Sequence, residues 1–226
     1  MLSKSSFSIW SLIAIPALIT LGLTVLRLEG ELQHWGAPWF NSAAGGGGAV
    51  VGITWLPIIF GPYFAWKLAR TGSRPERLGK ALGFTILGLV VLVAGGFGVA
   101  STLSHPSVLT VASFVVMLIA AFIPRIGWRS LGNTLVAYAY AARIPVLVVM
   151  FLAMQGNGGA GWGTHYDAVE PAFAHAALGT KFLLFAVLPQ MTLWVGYTVI
   201  LGSLLGIIFT AAARTGRQPV VEAEAH

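Results

Sequence analysis

Six apolar segments, each long enough to cross a lipid bilayer, constrain the fold of this 226-residue chain more than any other feature of its sequence. The hydrocarbon core of a bilayer is about 30 Å thick, so a spanning helix needs about 20 apolar residues. The segments lie at residues 8–27, 49–69, 81–101, 107–124, 132–154 and 182–209. Because backbone groups in lipid must form their hydrogen bonds internally, we expect these segments to be helices. The predicted fold class is all-α, a polytopic integral membrane protein with a six-helix transmembrane bundle.

Composition agrees with this class and excludes several others. Only 9% of the residues are charged and 57% are hydrophobic, whereas soluble domains have about 25% charged residues. We therefore predict a single transmembrane domain at residues 1–213 and a short cytoplasmic tail at 214–226. The chain has no cysteine, which excludes disulfides and cysteine catalysis. Its basic residues flank apolar segments, so we expect the lipid bilayer as its partner and no nucleic acid.

Charge assigns the two sides of the membrane. One set of connectors and ends carries most of the basic residues, namely Lys4, Lys67, Arg70, Arg74, Arg77, Lys80, Arg125, Arg129, Arg214 and Arg217. The other carries Arg27 and Lys181 together with Glu29, Glu31, Asp167 and Glu170. By the positive-inside rule the first set is cytoplasmic, and six spans place both termini on that side. The missing targeting peptide and the preference for arginine over lysine favour a bacterial inner membrane.

Several of the predicted spanning helices contain proline. Pro57, Pro62, Pro145 and Pro189 each lack the amide hydrogen of a helical hydrogen bond and leave a carbonyl four residues earlier without its donor. We expect kinked helices there, with polar groups facing the interior of the bundle.

Arg143 is the one charged residue deep inside a predicted span. It is the twelfth residue of segment 132–154, about 17 Å from either end at 1.5 Å per residue. A charge at that depth costs at least about 2.5–3.5 kcal/mol, so an arginine is retained there for a partner, a ligand or a packing role. No predicted span offers a central carboxylate. Gln190, Trp194 and Tyr197 recur at helical spacing in the last span and form a stripe that can face Arg143.

These observations lead to our first functional hypothesis, a carrier or channel for a small solute or a lipid-like, anionic ligand. Arg143, Tyr140, Gln190 and Tyr197 are its predicted ligand-binding residues. A purely structural role for Arg143, bonded to freed carbonyls and neutral side chains, is an equal alternative.

The second hypothesis is a membrane enzyme that uses a transition metal at the outer face. His165, Asp167 and His175 fall in or near the same outer loop, and imidazole and carboxylate groups suit such metals. Glu31 or His34, in the first outer loop, is a further candidate ligand. Their spacing matches no specific metal motif. Solvated histidines on a loop are the simpler interpretation, so enzymatic activity and cofactor stay open.

The third hypothesis is a non-catalytic accessory subunit in an oligomer or larger complex. Its expected mark is an exposed groove of small residues that lets another helix approach closely. The third span has such a series at Gly83, Gly88, Gly95, Gly96 and Gly98.

Overall fold

The computed structural model describes residues 8–43 and 48–215, and in that part of the chain every regular element is helical. Five helices there are long and apolar enough to cross a membrane: Ile9–Leu32, Leu78–Thr102, Val108–Gly127, Arg129–Gly159 and Leu178–Ala213. They indicate a polytopic integral membrane protein. The last helix continues to Thr215, two residues into the predicted tail at 214–226. Residues 216–226 of that tail, and Lys4, lie outside the described residues.

The helices follow the predicted apolar segments with shifted boundaries. They are α1 (Ile9–Leu32), α2 (Leu56–Arg70), α3 (Leu78–Thr102), α4 (Val108–Phe122), α5 (Pro124–Gly127), α6 (Arg129–Gly159), α7 (Leu178–Phe182) and α8 (Trp194–Thr215). Two π-helical segments, Leu183–Val187 and Pro189–Leu193, join α7 to α8. A 3₁₀ turn, Pro171–Phe173, lies in the long loop after α6.

Helix α2 is shorter than the predicted span at 49–69. The preceding backbone is irregular, and the amides of Val50 and Val51 donate to the carbonyls of Pro38 and Trp39 instead of to a helical turn. Pro57 lies in the first turn of α2, where an amide hydrogen has no helical acceptor in any case. The expectation that Pro57 interrupts a helix is therefore wrong, whereas Pro62 and Pro145 do lie inside α2 and α6.

Glycine lets neighbouring helices approach closely. A Cβ on Gly61 of α2 would lie 2.6 Å from the Cα of Gly202 in α8, so these two backbones are almost in contact. In α3, a Cβ on Gly95 would lie 2.9 Å from the Ser113 carbonyl oxygen of α4. Gly88 and Gly98 also face α4, whereas Gly83 and Gly96 have open space beside them. Three of the five glycines predicted to form an exposed groove thus pack inside the chain.

Helices α1 and α6 run parallel, as two contacts along their length show. The Thr20 and Tyr138 hydroxyls hydrogen-bond at 2.8 Å in the middle of α1 and the first half of α6. Further along both helices, Glu31 near the end of α1 contacts His165, which follows α6. Tyr138 also packs against Phe60 and Phe64 of α2 and anchors the apolar core at this end of the bundle.

Candidate ligand-binding site

A cavity of about 700 Å³ opens between α1, α3, α4, α6, the π-helical segments and the loop that follows α6. Its walls are mainly apolar and include Leu23, Val99, Phe114, Met117, Val146, Met150, Leu184, Phe185 and Leu193. Polar groups lie at two places, around Arg143 and around His165, and Glu170 adds a carboxylate to the wall in the loop that carries His165. The size and the mainly apolar lining with few polar groups are typical of a site for a small organic molecule.

Arg143 occupies the deeper polar position. Its side chain lines the cavity although the residue is only 4% exposed. One guanidinium nitrogen, Nη1, donates to Gln190 Oε1 at 3.3 Å, and the guanidinium carbon lies 5.0 Å from the centre of the Trp194 ring. Both partners are neutral. Arg143 Nε is buried and has no hydrogen-bond partner among the described residues.

The π-helical backbone around Pro189 places Gln190 in front of Arg143. Proline cannot donate the usual helical hydrogen bond, and here the chain widens into π-helix on both sides of Leu188. π-Helical turns are rare in proteins, and those that do occur often lie at functional sites. Gln190 is held on its other side by Met150, whose sulfur lies 3.6 Å from Gln190 Nε2.

The second polar position is a buried cluster of Arg27, Glu31 and His165. Arg27 Nε donates to Glu31 Oε1 at 2.8 Å, and Arg27 Nη2 donates to the Asn41 carbonyl at 3.1 Å. His165 approaches the same carboxylate twice, through its backbone amide at 2.9 Å and through Nδ1 at 2.7 Å from either oxygen. The i, i+4 spacing of Arg27 and Glu31 places their side chains on one face of α1, where they form this ion pair.

The surroundings of Glu31 determine the hydrogen-bonding role of His165. The carboxylate accepts from Arg27 and from the His165 amide, so the Nδ1 of His165 has to act as a further donor. Burial lowers the pKa of the imidazole, which favours its neutral form. The remaining ring nitrogen, Nε2, is then an acceptor, and His165 lines the cavity. This is the arrangement by which a carboxylate orients a histidine toward a ligand.

The loop around His165 is held by Asp167. Its carboxylate accepts from the amides of Gly163 and Thr164 and from the Thr164 hydroxyl. The Tyr166 hydroxyl donates to the Thr24 carbonyl of α1 at 3.2 Å and fastens the loop to the bundle. Asp167 therefore shapes the loop that presents His165.

The predicted metal ligands are not gathered into one group. His165 is engaged by Glu31, Asp167 is engaged by its own loop, and His175 is exposed. Among residues 8–43 and 48–215, no three histidine, aspartate or glutamate side chains are arranged to hold a metal ion. The metal-dependent enzyme stays a prediction without a geometric site.

The four predicted ligand-binding residues divide into two pairs. Arg143 and Gln190 line the cavity and contact each other. Tyr140 packs beside the apolar core, and the centre of the Tyr197 ring lies 5.7 Å from the centre of the Trp194 ring. Neither tyrosine lines the cavity. The sequence groups Glu31 with His165 only as a further candidate metal ligand. It does not predict that Arg27, Glu31 and His165 converge, since Glu31 lies more than a hundred residues before His165.

The two polar positions are separated along the bundle axis. Thr20 and Tyr138 lie level with each other, Arg143 lies five residues beyond Tyr138, and Glu31 lies eleven residues beyond Thr20. At 1.5 Å per residue these advances are about 7.5 and about 16.5 Å, which leaves about 9 Å between the Arg143 level and the Glu31 level. A single small molecule can therefore span both positions.

Comparison of the chain with protein-family models, with curated proteins and with solved structures finds no match. Inference of function thus depends on the geometry and chemistry of the cavity.

Proposed function

We propose that the protein binds a small amphiphilic organic anion in this cavity and carries it across the membrane. The observation that supports the proposal most directly is the guanidinium of Arg143, buried against neutral partners in a mainly apolar cavity. A buried cation without a counter-charge is costly, and an anionic ligand group supplies that charge. Charge-assisted hydrogen bonds of this kind contribute about 1.5–3 kcal/mol each.

The cavity also suggests the shape of the ligand. An acidic group at Arg143 and an apolar body along Val146, Leu184 and Phe185 account for the deep part of the cavity. About 9 Å further along the axis, His165 Nε2 can accept a hydrogen bond from a hydroxyl or ammonium group. A medium-chain fatty acid that carries a hydroxyl group, or a similar lipid-like acid, has this distribution of groups.

For the topology we propose six crossings, with both termini in the cytoplasm of a bacterium and the chain in its inner membrane. Helix α2 has 15 residues and is about 22 Å long, so the irregular segment before it has to complete its crossing. Irregular backbone at membrane depth is tolerated where it lines a cavity. Ile53 and Thr54 of this segment do line the cavity, which supports the proposed crossing.

Fluorescence quenching tests the binding site. Trp194 lies against Arg143, so a brominated dodecanoate bound there should quench the fluorescence of Trp194. The contribution of Trp194 to the emission is the difference between the spectra of the natural protein and Trp194→Phe. We expect Arg143→Gln to weaken dodecanoate binding about 10- to 100-fold, because it removes the charge-assisted bonds. Arg70→Gln, an exposed arginine outside the cavity, is the matched control and should leave binding unchanged.

Transport is measured separately in liposomes that contain the purified protein. Dodecanoate should cross faster than in protein-free liposomes, and Arg143→Gln should abolish the difference. A correctly folded Arg143→Gln protein that binds and transports dodecanoate as well as the natural one contradicts the proposal.

A further inference from the structure

A second cavity, of about 440 Å³, lies at the opposite end of α6 from the loop that carries His165. It is formed by the connector between α2 and α3, the start of α3, and the junction of α5 with α6. Its walls are polar and carry three cations, Arg74, Lys80 and Arg129, and one carboxylate, Glu76. Glu76 pairs with Lys80 at 3.7 Å, and both side chains are exposed. The described charges of this cavity therefore favour an anion.

Two helices begin at this cavity without a side-chain cap. Arg77 precedes α3 and Trp128 precedes α6, and neither side chain accepts a hydrogen bond from the first turn. The first amides of a helix have no partner within it, and its dipole favours negative charge there. Neither first turn contains an acidic residue, and Lys80 and Arg129 place cations there instead. The start of α6 therefore lacks the negative charge that would stabilise it, whereas Glu76 lies directly before Arg77 at the start of α3.

Trp128 adds an observation that is independent of charge. It lines the cavity, it is 3% exposed, and its buried indole N–H has no acceptor among the described residues. Leaving such a donor unpaired is unfavourable, and a ligand acceptor removes that cost. Asn133, one helical turn further along α6, also lines the cavity, and its buried Oδ1 accepts from no donor in the part of the chain that the structure describes. The site thus offers a fixed N–H donor and an amide acceptor beside the three cations.

We propose that this cavity binds a phosphate ester that carries a hydroxyl group. Phosphate oxygens can accept from the Trp128 indole, from the Arg129 guanidinium and from the free amides at the start of α6. The hydroxyl group can donate to Asn133 Oδ1. This chemistry occurs in the headgroup of phosphatidylglycerol and in free glycerol 3-phosphate. Basic cavities between transmembrane helices on the cytoplasmic side are a known form of site for lipid headgroups.

The site is separate from the proposed carrier cavity, and none of its residues lines that cavity. Variants in one can therefore be tested without changing the other.

The test uses the full chain, labelled with ¹⁵N-tryptophan in uncharged detergent micelles. The Trp128 indole signal is assigned by its disappearance in Trp128→Phe, which keeps the aromatic ring and removes the donor. Phosphatidylglycerol, phosphatidylcholine and glycerol 3-phosphate are added in separate titrations. We expect a saturable shift of the Trp128 signal with phosphatidylglycerol, with glycerol 3-phosphate or with both, and the active probe identifies a lipid or a free phosphate ester as the source.

The binding constants of the variants are then compared by native mass spectrometry. Trp128→Phe and Arg129→Gln should each weaken binding of the active probe about threefold to tenfold. Trp66→Phe and Arg70→Gln are matched controls outside the cavity and should bind as the natural protein does. Arg129 is exposed, so its substitution does not endanger folding. Absence of any shift, equal binding of phosphatidylcholine, or equal losses in the control variants would overturn the proposal.

Discussion

Two buried arginines of this bundle have opposite surroundings. Arg27 shares the Glu31 carboxylate with His165, so its charge is compensated within the chain. Arg143 contacts the neutral groups of Gln190 and Trp194. The first arrangement is typical of a structural ion pair, whereas the second leaves a counter-charge to be supplied by a ligand. The difference supports a structural role for Arg27 and the proposed binding role for Arg143.

Replacing Glu31 should therefore destabilise the fold. Glu31→Gln removes the carboxylate that Arg27 and His165 share, at a site where the Glu31 side chain is only 1% exposed. Breaking a buried ion pair costs about 3–5 kcal/mol. Unfolding in mixed micelles measures this loss of free energy. Glu29→Gln, an exposed position on the same helix, is the control and should change stability by less than about 0.5 kcal/mol. Equal stability of the two variants would contradict the structural role.

His165 should make the stability of the protein depend on pH. Burial lowers the pKa of its imidazole below the ordinary value of about 6.5. The positive charge of Arg27 lowers this pKa further, whereas the Glu31 carboxylate raises it. As the pH falls, the His165 imidazole therefore takes up its proton at a higher pH in the unfolded chain than in the folded chain. The stability that neutral His165 provides is complete above about pH 6.5 and is lost as the pH falls below that value.

The comparison of the natural protein with His165→Asn checks this direction. The free energy of unfolding of the natural protein should fall more steeply than that of the variant between about pH 7 and about pH 5.5. Asp167, the other acidic group whose charge acts on His165 beside Glu31, is retained in both proteins. A variant with the same pH dependence as the natural protein would show that His165 does not titrate differently in the folded state.

At the scale of elements, apolar runs predict the long helices well and the start of α2 poorly. Length and hydropathy identify a segment that is buried, but they do not distinguish helix from irregular backbone that pairs with another loop, as Val50 and Val51 do with Pro38 and Trp39. The stripe containing Gln190 and Trp194 predicts the contact of the last span with Arg143, because helical spacing is a local property. The pairing of His165 with Glu31 depends on tertiary structure, so local spacing could not reveal it.

The close packing of α2 on α8 leaves no room for a side chain at Gly61. Gly61→Ala would place a methyl group 2.6 Å from the Gly202 Cα, so one of the two helices must shift. Overpacking of this kind costs about 1–3 kcal/mol. Gly83→Ala in α3 is the control, since a Cβ there meets nothing within 4 Å. Thermal unfolding should show a lower midpoint for Gly61→Ala only, and equal midpoints would mean that the close approach is absent.

For the whole molecule, the crossing by α2 decides the topology. The chain has no natural cysteine, so single cysteines report the side on which they lie. We expect Gln33→Cys, after α1, and Thr71→Cys, after α2, to react with an impermeant thiol reagent from opposite sides of the membrane. Thr71→Cys should react from the cytoplasmic side. Labelling of both positions from one side would show that α2 does not cross.

We propose that Arg143 holds an acidic ligand within the bundle, and native mass spectrometry can measure the preference for an acid that this role implies. The purified natural protein and Arg143→Gln are each titrated with dodecanoate and with dodecanol, which share a chain and differ in charge. We predict that the natural protein binds one dodecanoate in strong preference to dodecanol, and that Arg143→Gln loses this preference. Equal binding of the acid and the alcohol by the natural protein, or an unchanged preference in the variant, would show that Arg143 does not hold the acidic group.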